Sequence, residues 1–358
     1  MGFSVRKESS NLKLNFAQLT KALQTNLRHS RKFQIVFIVL IVAAVAPLAV
    51  RNGYVVSEVL TPILILAIYA SAWNLLAYSG QASLGHAAFL GIGGFVSALI
   101  GVKLGLPPLV GLFVGAIFAA VIGLLIGLAC VRLKTWFLAI VTFGFSVIAA
   151  TLFTQFDTAI GGILGFAPPM IAPAGLPLYY VAFAFSAASI IVIYLVIKSK
   201  WGLAFRAIHQ NEEEAKMIGI NVAKYRLLAF VISTFFAGLA GGLYVQSISY
   251  VDVSLFGLSH SLEPLMMAVI GGLATIEGPI IGAALIVAIE SYLPTLDPFL
   301  QTHVGFLFPS VSNAGPYLRT LALGLFFVAM IIFAPKGITS IIPKITRYFK
   351  TTKKSDKS

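Results

Sequence analysis

The stretch Gly202–Gly242, GLAFRAIHQNEEEAKMIGINVAKYRLLAFVISTFFAGLAGG, decides the fold. Its first part is charged and amphipathic. From about Leu227 it turns into a long apolar run, and a second apolar run ends just before it at Lys198. Residues greasy enough to cross lipid therefore flank a polar insert on both sides, and the insert must lie outside the bilayer. A short polar helix held between two membrane helices is well placed to receive a push from a soluble partner. The segment predicts a membrane subunit driven by something else.

The rest of the chain agrees. Of 358 residues, 59% are hydrophobic and 10% are charged, against about 25% charged in a soluble domain. Apolar runs near the roughly 20 residues that a helical span needs recur along almost the whole length. Lipid admits only helices and closed barrels, and these runs are too long and uniform for barrel strands, which alternate. The fold class is an all-α, polytopic integral membrane bundle.

The net charge of +13 does not point to nucleic acid. Lys and Arg gather before Phe33, on either side of Leu133, between Lys198 and Arg226, and from Lys336 onward; only Arg51, Lys103 and Arg319 fall elsewhere. Basic residues collect in the short cytoplasmic loops of membrane proteins, so the four clusters mark the cytoplasmic side. The single cysteine, Cys130, excludes an intrachain disulfide. The run 33–50 is too long for the apolar core of a signal peptide and reads as a retained first span.

Spans are expected at 33–50, 58–77, 83–102, 107–130, 135–155, 177–197 and 227–247. Residues 263–293 form two shorter apolar halves hinged at Glu277-Gly278-Pro279, either crossing in and out or re-entrant, and a last span covers 317–334. That makes about ten transmembrane helices, with both termini cytoplasmic. The domain plan is a basic arm over 1–32, a transmembrane domain over 33–335 with its polar loop at 198–226, and a basic tail over 336–358. Residues 157–176, rich in Gly and Pro, form an external loop.

Two constellations stand out. In the first, Asn74 to His86 (NLLAYSGQASLGH), Gln81, Ser83 and His86 interrupt apolar sequence beside glycines. Broken helices with polar side chains line transport paths; the same residues equally fit close packing with cross-helix hydrogen bonds. In the second, Asn211 caps a helix whose first turn holds Glu212, Glu213 and Glu214, matching the helix dipole. Ala215, Met217 and Ile218 give it an apolar stripe and Gly219 ends it. Two turns do not stand alone, so this helix docks on something; the bland alternative is a solvated loop. The chain carries no GxxxxGK[ST] phosphate loop, no HExxH and no Cys/His ligand cluster. It reads as a non-catalytic subunit with no cofactor of its own, and any uphill transport takes its energy from a partner.

NLLAYSGQASLGHAAFLGIGGF, EEEAKMIGINVAKYRLLAFVISTFFAGLAGGLY, SLEPLMMAVIGGLATIEGPIIGAAL and FAPKGI, in this order over most of residues 60–340, resemble the permease subunits of branched-chain amino acid ABC importers, specifically the LivM type. Where such permeases often carry Thr-Gly-Gly, this chain has Ile160-Gly161-Gly162. The resemblance implies a heteromeric importer in a prokaryotic cytoplasmic (inner) membrane. Its other parts would be a second related permease, two ATPase subunits that bind ATP and Mg, and an extracytoplasmic solute-binding protein. It implies that Glu213, Glu214, Ala215, Gly219 and Ile220 couple to the ATPase; the broken stretch makes Gln81, Ser83 and His86 the residues expected to line the path. A permease for urea or short amides, or a stand-alone channel or ion-coupled carrier, is the alternative.

Overall fold

The computed structural model describes residues 41–50, 52–130, 133, 135–155, 164–296, 321, 324–330, 332 and 337–340. Residues 41–49 are helical and belong to a unit of their own. In the larger unit the helices are α1 (Gly53–Tyr78, with a π-helical segment at Val56–Leu60), α2 (His86–Leu104), α3 (Pro108–Cys130), α4 (Thr135–Gln155), α5 (Leu176–Lys198), α6 (Lys200–Gln210), α7 (Glu212–Met217), α8 (Val222–Ile248), α9 (Leu258–Gly271) and α10 (Gly278–Tyr292). No sheet occurs among the described residues; one isolated bridge joins Phe166 to Val251.

Six of these helices, α1 to α5 and α8, are long and apolar enough to cross a membrane. The expected spans at 33–50 and 317–334 fall partly outside the described residues, which cover 41–50 of the first and 321, 324–330 and 332 of the second. Residues 263–293 resolve into α9 and α10, of 14 and 15 residues. At 1.5 Å per residue each is roughly 21–23 Å long, short of a hydrocarbon core of about 30 Å. The expected span at 83–102 starts at His86, because residues 79–85 leave the helix.

The core is built on α1. From Leu64 to Tyr78 every side chain is buried, so this helix is enclosed by α5, α8, α9 and α10. Helices α2, α3 and α8 pack on one another through glycines. A Cβ on Gly241 would stand 1.9 Å from the Leu90 carbonyl oxygen, and one on Gly93 would stand 2.3 Å from the Cα of Gly238. Backbones this close gain dispersion contacts that lipid does not offer in competition, which is how small residues hold membrane helices together. By contrast α3 and α4 turn Phe113, Ile117, Leu125, Trp136, Ile140 and Ile148 outward.

The polar loop lies at one end of the bundle. Gly80, after α1, sits against His209 of α6, while Gln81, Cys130, Leu133 and Arg226 line one small cavity. We call this the basic end. At the far end Phe166 and Val251 exchange backbone hydrogen bonds of 3.1 and 3.0 Å, and Ser291 of α10 donates to the Glu58 carbonyl at 3.5 Å.

Candidate coupling site and the turn beside it

The polar loop folds as two helices set against the start of α8. Ser199 opens α6, its hydroxyl accepting from the Trp201 N–H at 3.1 Å. Asn211 opens α7: its Oδ1 accepts from the N–H groups of Glu213 and Glu214 at 3.1 and 3.4 Å, and its Nδ2 donates to Glu214 Oε1 at 2.7 Å. These bonds satisfy donors that a helix start leaves free. Gly219 closes α7 at φ +84°. Its N–H donates to the Lys216 carbonyl and the Ile220 N–H to the Ala215 carbonyl, both at 3.0 Å. This paired closure requires a left-handed residue, and glycine adopts that conformation without a Cβ penalty.

Ion pairs brace the helix. Lys216 Nζ lies 3.0 Å from both Glu212 Oε1 and Glu213 Oε1, and Arg226 Nη2 of α8 lies 2.8 Å from Glu212 Oε2. Burial pushes the Glu212 carboxyl up, but the hydrogen bond from Lys216 and the charges of Arg226 and Lys216 together outweigh it and hold the group below its ordinary value. The hydrogen bonds to Glu213 and Glu212 raise the Lys216 ammonium.

The apolar stripe divides in two. Ala215, 2% exposed, packs with Ile208 of α6 and Val222 of α8, with Ala207, Ile220 and Tyr225 against the cluster. Met217 and Ile218 are 87% and 74% exposed. The expectation that all three apolar residues share a docked face is corrected here. Met217, two places beyond Ala215, points about 200° around the helix from it, and Ile218 is the C-cap, where the chain turns away toward Gly219. The docked face is Ala215 with Ile220; the outer face is Met217 with Ile218. Glu213, Glu214, Ala215, Gly219 and Ile220 therefore lie together on one braced element.

Gln81, Ser83 and His86 lie along the break between α1 and α2, and all three are buried in this subunit. They do not converge. Gln81 faces the cavity beside Arg226 and Phe230. The Ser83 carbonyl accepts from Trp73 Nε1 at 2.7 Å. His86 Nε2 lies 3.1 Å from Ser233 Oγ on α8, and the Ser233 hydroxyl donates to the Ala72 carbonyl. The His86 ring stacks with Tyr69 at 5.7 Å. The Leu84 N–H donates to Thr142 Oγ1 of α4 at 3.3 Å. The break is thus tied to three helices.

Sequence reasoning missed Asn74, one turn before the end of α1. Its Nδ2 donates to the Thr275 carbonyl at 2.6 Å, and its Oδ1 accepts from the Ala274 N–H at 2.8 Å. Both partners belong to the turn between α9 and α10, which the Thr275 hydroxyl closes by donating to the Gly272 carbonyl at 2.7 Å and accepting from the Gly278 N–H at 3.1 Å. A Cβ on Gly337 would stand 2.4 Å from the Gly272 Cα, so the residue after Lys336 packs on this turn as well. The available signal was a lone amide in an apolar helix, which has to find partners inside protein.

Fold and site together define a multi-pass membrane protein with a braced polar loop and a helical hairpin packed on its central helix. Comparison with known proteins narrows the class. Residues 55–335 match the family model of the branched-chain amino acid transport system permease component, and the chain belongs to that family. It is 26% identical over 339 residues to the high-affinity branched-chain amino acid transport system permease protein LivM of Escherichia coli, covering 86% of this chain and 75% of that one. It is 32% identical over 160 residues to the probable branched-chain amino acid transport permease protein LivH of Methanocaldococcus jannaschii, covering 42% and 45%. It is 31% identical over 113 residues to the fructose import permease protein FruF of Bifidobacterium longum, covering 30% and 32%. No solved structure matches it.

Proposed function

We propose that this chain is a LivM-type transmembrane subunit of an ATP-driven importer for branched-chain amino acids. In this reading it pairs with a second, related permease, takes solute from an extracytoplasmic binding protein, and is moved by two ATPase subunits that hold ATP and Mg. The basic end and both termini face the cytoplasm of a prokaryotic cell. The α7 helix, carrying Glu213, Glu214, Ala215, Gly219 and Ile220, seats on an ATPase subunit: Glu213, Glu214 and Gly219 are exposed to it, while Ala215 and Ile220 hold the helix to α6 and α8. The break carrying Gln81, Ser83 and His86 forms part of the wall along which the path opens.

One observation carries the reading: Met217 and Ile218 project from a helix that is otherwise capped, ion-paired and packed on α8. Two large apolar side chains on a rigid polar knob fit a socket on a soluble partner, since exposed apolar clusters of this kind mark interaction sites. The test is ATP-driven uptake of labelled leucine by the full complex in proteoliposomes. Replacing Ile218 by Glu is expected to abolish uptake and to release the ATPase subunits on gel filtration, with the permease pair intact. Uptake that survives in Met217→Glu/Ile218→Glu would overturn the docking assignment. Leucine flux through this chain alone would overturn the importer reading.

A further inference from the structure

Glu277 and Arg206 stand on two parts that pack on α1 at the basic end, and among the described residues neither has a charged partner. Glu277 lies in the turn between α9 and α10, just before Gly278. Its Oε2 is buried and makes no hydrogen bond. A sealed carboxylate oxygen without a donor is costly, and such an atom in a folded protein calls for an explanation. Arg206 lies on α6. Its Nε donates to the Gly202 carbonyl at 3.2 Å and its Nη2 to the Ile197 carbonyl at 3.4 Å. Both bonds are long, and both go to neutral acceptors at the end of α5 and the start of α6. Neither residue forms an ion pair among the described residues.

The two side chains stand on elements that both pack against α1 near its end. On one side of Tyr78, one turn back, Asn74 holds the turn that carries Glu277. On the other side, two residues on, Gly80 touches His209 of α6. A guanidinium can exchange two weak carbonyl contacts for a carboxylate, and a charge-assisted pair is roughly twice as strong as a neutral hydrogen bond.

Resting on the importer reading, we propose that Arg206 and Glu277 pair in the alternate state of the transport cycle, as a latch between the coupling loop and the α9–α10 hairpin. The structure holds the open latch. A push on α7 moves α6, to which it is packed; Arg206 leaves the Gly202 and Ile197 carbonyls and reaches the unpartnered oxygen of Glu277. The hairpin turn is then pulled along with the loop. This gives the motion a route from the ATPase socket to the hairpin, through a two-state element whose balance the push biases.

The test uses the full complex with Cys130 replaced by Ser. With Arg206→Cys and Glu277→Cys, a short bismaleimide is expected to cross-link roughly threefold or more faster in one of the two forms, ATP-free and vanadate-trapped, than in the other. Equal rates in both forms would overturn the latch. In parallel, Arg206→Glu and Glu277→Arg alone are each expected to lower leucine uptake per ATP hydrolysed about tenfold, and the double exchange to recover it to within about threefold. A double variant no better than the worse single variant counts against the pair, and the cross-linking arm decides if that variant does not assemble. If the unaltered complex fails to couple ATP to uptake, the importer reading falls. If it couples, with no state-dependent cross-link and no rescue, only the latch falls.

Discussion

At the scale of single residues, the glycines separate into two physical kinds. Gly241 and Gly93 exist so that two backbones can touch. A methyl on Gly241 would overlap a carbonyl oxygen of Leu90, and backbone cannot step aside as a side-chain end can. Gly241→Ala is expected to destabilise the bundle by about 1–3 kcal/mol, the usual cost of overpacking, and to lower its melting temperature in detergent. Gly144 of α4 has open space around its missing Cβ, so Gly144→Ala is expected to leave that temperature unchanged or raise it slightly. A common response in both variants would mean that α2 and α8 are not in contact as described. The Glu212–Arg226 pair belongs to the same scale. Because the folded Glu212 carboxyl sits below its ordinary value of 4.5, its contribution is fully present above that pH and fades as the pH falls through the lower folded value. Hydrogen exchange over Glu212–Gly219 should therefore hold steady above pH 4.5 and lose protection below it. In Glu212→Gln that acid-dependent loss should be absent, and the pair's removal should cost on the order of 1 kcal/mol or less, since the carboxyl is partly exposed.

At the scale of elements, the hairpin turn between α9 and α10 is held from outside itself. Gly272 and Ala274 have positive φ, at +132° and +52°, a conformation that side chains such as alanine's rarely adopt. The Asn74 amide supplies a donor and an acceptor to that turn, so Asn74→Leu leaves the Ala274 N–H and the Thr275 carbonyl without these partners. Buried unpaired groups cost about 1–3 kcal/mol each. The variant should exchange amide hydrogens over residues 272–277 faster, with α7 unchanged. Unchanged exchange there would show that Gly337 and the Thr275 hydroxyl suffice to hold the turn. What the sequence revealed follows from this contrast. Local signals sit within a few residues of the structure they make: Asn211 and Gly219 bound α7, and apolar length locates α1 to α5 and α8. The tie from Asn74 to Thr275 joins positions 201 residues apart, and the pairing of Glu212 with Arg226 depends on how α7 rotates against α8. Neither leaves a periodic trace. The same rotation sends Met217 outward and Ala215 inward, which composition alone does not distinguish.

At the scale of the whole molecule, the basic residues are sorted between the two ends. Lys198, Lys200, Arg206, Lys216, Lys224 and Arg226 gather at the polar loop, beside Glu212, Glu213, Glu214 and Glu277, while the far end holds Glu58, Asp252, Glu263 and Glu290 with Lys103. Insertion follows the basic residues of short loops, so the arrangement predicts which end each compartment sees. The far end is marked by Leu258, 51% exposed at the start of α9, and the basic end by Met217. In a background with Cys130→Ser, Met217→Cys should react with a membrane-impermeant maleimide only after the cytoplasmic face is opened, and Leu258→Cys should react in intact spheroplasts. Because Met217 forms the outer face of α7, assembled ATPase subunits should also shield it, while leaving Leu258→Cys as reactive as before. Labelling of Met217→Cys from outside the cell would reverse the orientation and with it every step that begins at the polar loop. Labelling from the cytoplasmic face that the ATPase subunits do not slow would keep the orientation and remove the socket.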